Sequence, residues 1–119
     1  MRNVYEVLAS ESDVFYIAEP VTVKPAGQVL ADSDAFAFIY IVEENDQYSY
    51  LTFNESLWPL LIDYMKKEQN PSVLIDGELI ELESFYDEMT FLLFNIEGNS
   101  NYGEAFVERV ECVFATILK

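Results

Sequence analysis

Hydrophobic and polar positions fall into short β-like runs in the first part of the chain and into helical stripes later. Residues 4–8 and 14–18 are β-branched and aromatic runs around the turn-forming Ser10-Glu11-Ser12-Asp13, a pattern that predicts a hairpin. Pro20, Pro25 and Gly27 then read as a loop, with a short extended piece at Val21-Thr22-Val23. Residues 36–43 form the strongest strand. Their nearly continuous apolar character fits a strand covered on both faces. The polar Glu44-Asn45-Asp46-Gln47 turns the chain into residues 48–53, the expected antiparallel partner.

Helical periodicity begins near residue 55 and lasts to about residue 68. Leu57, Trp58, Leu61, Tyr64 and Met65 share one face, with Asp63, Lys66 and Lys67 opposite. Pro59 falls in the first turn, where its missing N–H is tolerated, and Asn70-Pro71 ends the helix. Asp76-Gly77, between residues 73–75 and 78–82, is the best short hairpin signal, because a type I′ turn needs positive φ at both central residues. Residues 83–96 predict a second helix with the core stripe Phe85, Met89, Leu92, Leu93 and Ile96. Phe91 and Phe94 point the other way. A third helix, from about 103 to 118, carries Phe106, Val107, Val110, Val113, Phe114 and Ile117 on one side. The expected fold is a single α+β domain over residues 1–119, with an antiparallel sheet of about six strands and about three helices packed on it.

Charge narrows the functions open to such a domain. The chain holds 22 Asp and Glu against 6 Lys and Arg, has no histidine, and nets −16 over 119 residues. The charge is spread through the sequence, and no base stands between Lys67 and Arg109. This excludes nucleic acid and anionic membranes as partners, since no basic patch can release their counterions. The absent histidine removes the commonest general base near neutral pH and the commonest metal ligand. At 51% hydrophobic residues, the chain can still bury a core. Cys112 is the only cysteine, the first residues lack a basic-then-apolar leader, and no apolar run approaches the ~20 residues of a membrane span. A cytoplasmic location is expected.

No residue is assigned a catalytic, cofactor-binding or metal-binding role. Asp32 and Asp34, with Glu43, Glu44 and Asp46, offer oxygens to a hard cation, but Asp32-Ser33-Asp34 lacks the glycine and distal glutamate of an EF-hand and reads as a solvated turn. Cys112 lies between Glu108, Glu111 and Arg109 and reads as an incidental thiol. Asn99, Asn101 and Tyr102, in the segment from Gly98 to Gly103, form a candidate polar loop that also reads as a helix stop followed by a cap. Phe91 and Phe94 have two readings: burial under the N-terminal loop or last helix, or an interface with a partner or a second copy of the chain. Glu78, Glu81, Glu83, Asp87 and Glu88 are a candidate face for a basic protein surface. Of these, Glu83, Asp87 and Glu88 also suit the N-terminus of the second helix.

The segments Gly27-Gln28-Val29-Leu30-Ala31-Asp32-Ser33-Asp34-Ala35-Phe36-Ala37-Phe38, Tyr48-Ser49-Tyr50-Leu51 and the six residues from Gly98 to Gly103 resemble the YjbL-like family of small uncharacterised proteins from Gram-positive bacteria. The resemblance covers most of the chain and implies a bacterial cytosol. It transfers no activity, substrate or catalytic residue. The leading expectation is a non-enzymatic acidic protein acting through protein contacts. One alternative is an inhibitor, immunity-type protein or DNA mimic acting against a basic partner. The other is a small carboxylate-dependent enzyme or metal binder.

Overall fold

The computed structural model describes residues 3–119. Its first part runs β1 (Val4–Glu6), β2 (Leu8–Ala9), β3 (Phe15–Tyr16), β4 (Lys24–Asp32), β5 (Ala37–Glu44) and β6 (Gln47–Asn54). A 3-10 turn (Glu55–Leu57) opens α1 (Trp58–Lys66), followed by β7 (Ser72–Ile75), β8 (Glu78–Glu81) and α2 (Phe85–Ile96). A second 3-10 turn (Ser100–Tyr102) leads to α3 (Glu104–Val113) and α4 (Ala115–Leu118).

Two tight turns form as the sequence predicts. Asn45 and Asp46 join β5 to β6 with φ of 52° and 62°, and Asp76 and Gly77 join β7 to β8 with φ of 50° and 77°. Positive φ at both central residues matches the right-handed twist of the flanking strands.

The expected α+β class is observed, with the sheet of about six strands refined to eight strands in two four-stranded sheets, ordered β1-β6-β5-β4 and β2-β3-β7-β8. Two pairings are parallel, β1 with β6 and β3 with β7. Residues 4–8 divide between the sheets at the buried Val7. Its N–H still donates to the Thr52 carbonyl, while the next residue, Leu8, pairs with Tyr16. Parallel partners lie far apart in sequence and leave no turn signature, so local patterning does not reveal them.

β4 is a correction. Pro25 and Gly27 suggested a loop, yet nine residues here form a strand at the sheet edge. The register shifts between Pro25 and Gln28, and Gly27 sits in that irregularity with φ of 75°. An edge and a bulge are the two places where a sheet accepts proline and glycine. Val21-Thr22-Val23, expected to be extended, precedes this strand without joining a sheet.

One face of the first sheet builds the core. Tyr5, Val29, Phe38, Tyr40, Val42, Leu51 and Phe53 join Phe15, Val73 and Ile75 of the second sheet, and the inward stripes of α1, α2 and α3. Phe38 lies 5.2 to 6.0 Å from the rings of Trp58, Phe106 and Phe114. Leu30, Ile39 and Ile41 face away from that cluster. The apolar run in β5 therefore reflects its place inside the sheet, with shielding strands on either side, and not helices on both faces. The last helix is interrupted at Phe114, whose φ of −96° and ψ of 20° separate α3 from α4 while its ring is fully buried.

Tyr40 ties the two sheets together. Its hydroxyl donates to the Glu83 carbonyl at 2.7 Å and accepts from the Gly27 N–H at 3.2 Å. Its ring stacks on Phe85 with centroids 5.9 Å apart. Burial, with a smaller contribution from the nearby Glu83 charge, pushes the phenol up to about 12. A phenol raised this way stabilises the fold fully below its unfolded value near 10, and the contribution is lost as pH rises toward 12. Tyr40→Phe should lower the unfolding free energy by about 1–3 kcal/mol, because the Gly27 N–H and Glu83 carbonyl lose their partner. Urea unfolding at neutral pH checks this, and a repeat above about pH 10 should show a shallower alkaline loss than in the parent.

Candidate functional site

α2 is fixed at its start by side chain and main chain together. Ser84 turns the corner from β8 with φ of 66°, and the first-turn N–H of Tyr86 donates to Asn70 Oδ1 at 2.8 Å. Phe85, Met89, Leu93 and Ile96 then face the core, and Leu92 is half-buried. On the opposite side Phe91 is 76% exposed and Phe94 51%. Neither the N-terminal loop nor the last helix covers them, so the reading of burial beneath either is corrected. The physical reason is layering: α2 packs chiefly on β4, the strand at the end of its sheet, and nothing lies beyond it among the described residues.

Between α2 and β4 runs an open groove of about 390 Å³, lined by Val29, Glu88, Phe91, Leu92 and Asn95. Glu88 is half-buried there, and Asp87 is exposed one turn before Phe91. The other acids of the expected face are dispersed. Glu78 and Glu81 stand three residues apart on β8 and so leave it on opposite sides. Glu81 accepts from Asn70 Nδ2 at 3.1 Å. Glu83 sits at the β8–α2 corner, its carbonyl taken by Tyr40. Only Asp87 and Glu88 adjoin the exposed rings.

Of the remaining sequence candidates, Glu44 and Asp32 are engaged within the fold, while Asp34, Glu43 and Asp46 are exposed. Glu44 Oε1 accepts from the Tyr5 hydroxyl at 2.7 Å, the buried Ser49 hydroxyl at 2.9 Å and Asn3 Nδ2 at 3.2 Å. These donors, the Tyr5 hydroxyl foremost, hold its carboxyl below the ordinary value. Asp32 Oδ1 accepts from the Ala35 N–H inside the β4–β5 turn. Among the described residues, no group of three or more His, Cys, Asp and Glu is placed to hold a metal ion. In the polar loop, Asn99 accepts from the Asn101 N–H and donates to the Asn95 carbonyl, and Tyr102 accepts from Asn95 Nδ2. Asn101 itself is exposed, as is Cys112.

Two features escaped sequence reasoning. Val29, Leu92 and Asn95 belong to the groove, but reading β4 as a loop hid the wall that Val29 provides. The second is a cross-strand row on the outer face of the second sheet: Leu8 opposite Tyr16, Tyr16 opposite Leu74, and Leu74 opposite Leu79. Leu74 and Leu79 are 38% and 62% exposed. The row depends on the parallel β3–β7 register, for which the sequence holds no local signal.

These features define a small two-sheet α+β protein whose exposed chemistry is carboxylate and aromatic. The chain belongs to UPF0738, a family of unknown function whose model matches residues 4–114. It is 43% identical to a UPF0738 protein of Lysinibacillus sphaericus, a match spanning 99% of this chain and 98% of that one. A Bacillus licheniformis relative is 39% identical over 96% of this chain and 90% of its own, and one from Staphylococcus aureus is 38% identical over 96% and 97%. A family of unknown function with members in Gram-positive bacteria is thus found as expected; it is UPF0738, and the YjbL-like name is not confirmed. No solved structure matches. Among the described residues no helix is long and apolar enough to cross a membrane.

The Glu44 cluster generates a prediction of defined sign. A carboxyl lowered on folding contributes its stability above the ordinary value of 4.5, and that contribution is lost as pH falls through the folded value. Glu44→Gln should cost about 1–2 kcal/mol at neutral pH by weakening charge-assisted hydrogen bonds, and it should flatten the acid limb of stability. Denaturant unfolding at neutral pH and near pH 3 measures both. An acid limb identical to the parent's would count against the cluster's role.

Proposed function

We propose that this protein is a non-enzymatic, acidic, cytoplasmic protein that works by docking a basic partner protein on the outer face of α2. The observation that carries the reading is the exposure of Phe91 and Phe94, at 76% and 51%, beside Asp87 and Glu88. Large aromatic side chains supply the energy at interface cores, while charged neighbours steer encounter and select the partner's sign. The net charge of −16 favours a basic surface, and it disfavours nucleic acid, anionic lipid and a second like-charged copy at this face. DNA mimicry draws less support, because it needs an ordered array of carboxylates and Glu78 and Glu81 diverge. A carboxylate enzyme draws less still: Glu44, the acid lowered by its neighbours, is committed to Tyr5, Ser49 and Asn3.

The test compares three immobilised proteins in Gram-positive cytosol at roughly 50 mM and 300 mM salt. They are the parent, the double variant Phe91→Ser/Phe94→Ser, and the double variant Asp87→Lys/Glu88→Lys. The parent should retain a basic protein at low salt and release it at high salt, and both variants should lose it. Phe91 and Phe94 lie at the surface, so unfolding of the serine variant should stay within about 0.5 kcal/mol of the parent. The lysine variant reverses two acids in the first turn of α2 and should stay folded at a cost of no more than about 2 kcal/mol. Equal retention by all three proteins would overturn the reading.

A further inference from the structure

We infer that the groove between α2 and β4 takes an extended, basic peptide segment of the partner, which adds as a fifth strand to the free edge of β4. The inference rests on the docking reading above and specifies how the contact is made. β4 ends the order β1-β6-β5-β4, so one of its edges has no strand beside it. Residues 28–32 pair in unbroken register with residues 41–37 of β5. On the outer side, no backbone hydrogen bond to another segment reaches them among the described residues.

Natural sheets protect long edges with charge, proline or a bulge, because unpaired N–H and C=O groups recruit other chains. Here Lys24, Pro25 and the bulge at Gly27 all lie at the beginning of β4. Residues 28–31, Gln-Val-Leu-Ala, have no such device. The first sheet's other edge, β1, is only three residues long, and β8 carries Glu78 and Glu81. The second sheet's other edge, β2, is only two residues long. α2 packs over β4 yet leaves the groove beside residues 28–31 open next to the exposed ring of Phe91.

The groove's chemistry selects the occupant. Val29, Phe91 and Leu92 form an apolar wall, with Glu88 and Asn95 at its ends. These two are seven residues apart, about 10 Å along the helix, which is the reach of about three extended residues. A strand laid on β4 satisfies the free main-chain groups and sends alternate side chains toward the groove. Apolar residues at those positions meet Phe91 and Leu92, and a Lys or Arg near one end meets Glu88. A second copy pairing edge to edge would instead bring two chains of −16 together.

The probe is a library of synthetic seven-residue peptides with varied apolar residues at the third and fifth positions and Lys or Arg at the others, so that the groove-facing side carries a cation at each end. A Glu-for-Lys set and a set with alternate main-chain nitrogens methylated serve as comparisons. The full chain is titrated with each, and amide hydrogen exchange is followed residue by residue. Basic members should bind and slow exchange by about tenfold or more at those N–H groups of residues 28–32 that point away from β5. Phe91→Ser should weaken them by about tenfold, and the acidic and methylated sets should do neither. Basic peptides that need Phe91 but leave exchange in residues 28–32 unchanged would overturn strand addition while leaving docking on α2 intact. So would the absence of any basic binder below about 1 mM while the immobilised parent still retains its partner. Slow exchange at the outward-pointing N–H groups of residues 28–32 in the free protein, deepening with concentration, would show that a second copy holds the edge and would also overturn it.

Discussion

The hydroxyl of Tyr40 is the contact on which the rest of the arrangement depends. A central strand of one sheet uses it to hold the bulge of β4 and the corner between β8 and α2 at the same time. A glycine is needed at that bulge for its backbone: Gly27 has φ of 75°, while a Cβ there would meet Ser84 and the Glu83 carbonyl no closer than 3.7 Å. With the corner fixed against β4, α2 runs along the edge strand and turns Phe91 and Phe94 outward. The groove, the exposed rings and the free edge all follow from this one junction.

The excess of acid shapes how polar groups are satisfied. With six bases for 22 acids, ion pairs cannot be the rule, and Arg109 with Glu55 is the only salt bridge among the described residues. Carboxylates instead accept from neutral donors that the fold must satisfy. Glu44 serves Tyr5, Ser49 and Asn3, Glu111 accepts from the Gly98 N–H after α2, and Glu81 accepts from Asn70. A charge-assisted hydrogen bond of this kind is stronger than a neutral one and needs no cation. Glu6 accepts from Asn54 and Asp32 from the Ala35 N–H in the same way. The acids together make a long-range negative field, which steers encounter more than it holds a complex together.

Elements specified by neighbouring residues were legible in the sequence. Asp76-Gly77 and Asn45-Asp46 announced their turns, and the inward stripes of α1, α2 and α3 followed from helical spacing. What failed depended on distant partners. The split of residues 4–8 at Val7 is set by parallel pairing to β6 and by pairing to β3, and neither shows in the run itself. β4 was hidden because Pro25 and Gly27 are strand breakers everywhere except at an edge or bulge, and edge position is a property of the whole sheet. The candidate site was half visible for the same reason. The two-sided apolar pattern of α2 showed that Phe91 and Phe94 needed an account, but only the layer order showed that the chain leaves them open.

Docking as proposed requires the outward face of α2 to meet a basic protein in the cell. Photo-cross-linking in living Gram-positive cells tests it most directly, with a light-activated phenylalanine analogue in place of Phe91 and, for comparison, of Leu79 on the second sheet. One dominant adduct is expected from position 91, formed with a basic protein and absent from position 79. No adduct at position 91, or an adduct with a second copy of the chain, would contradict it.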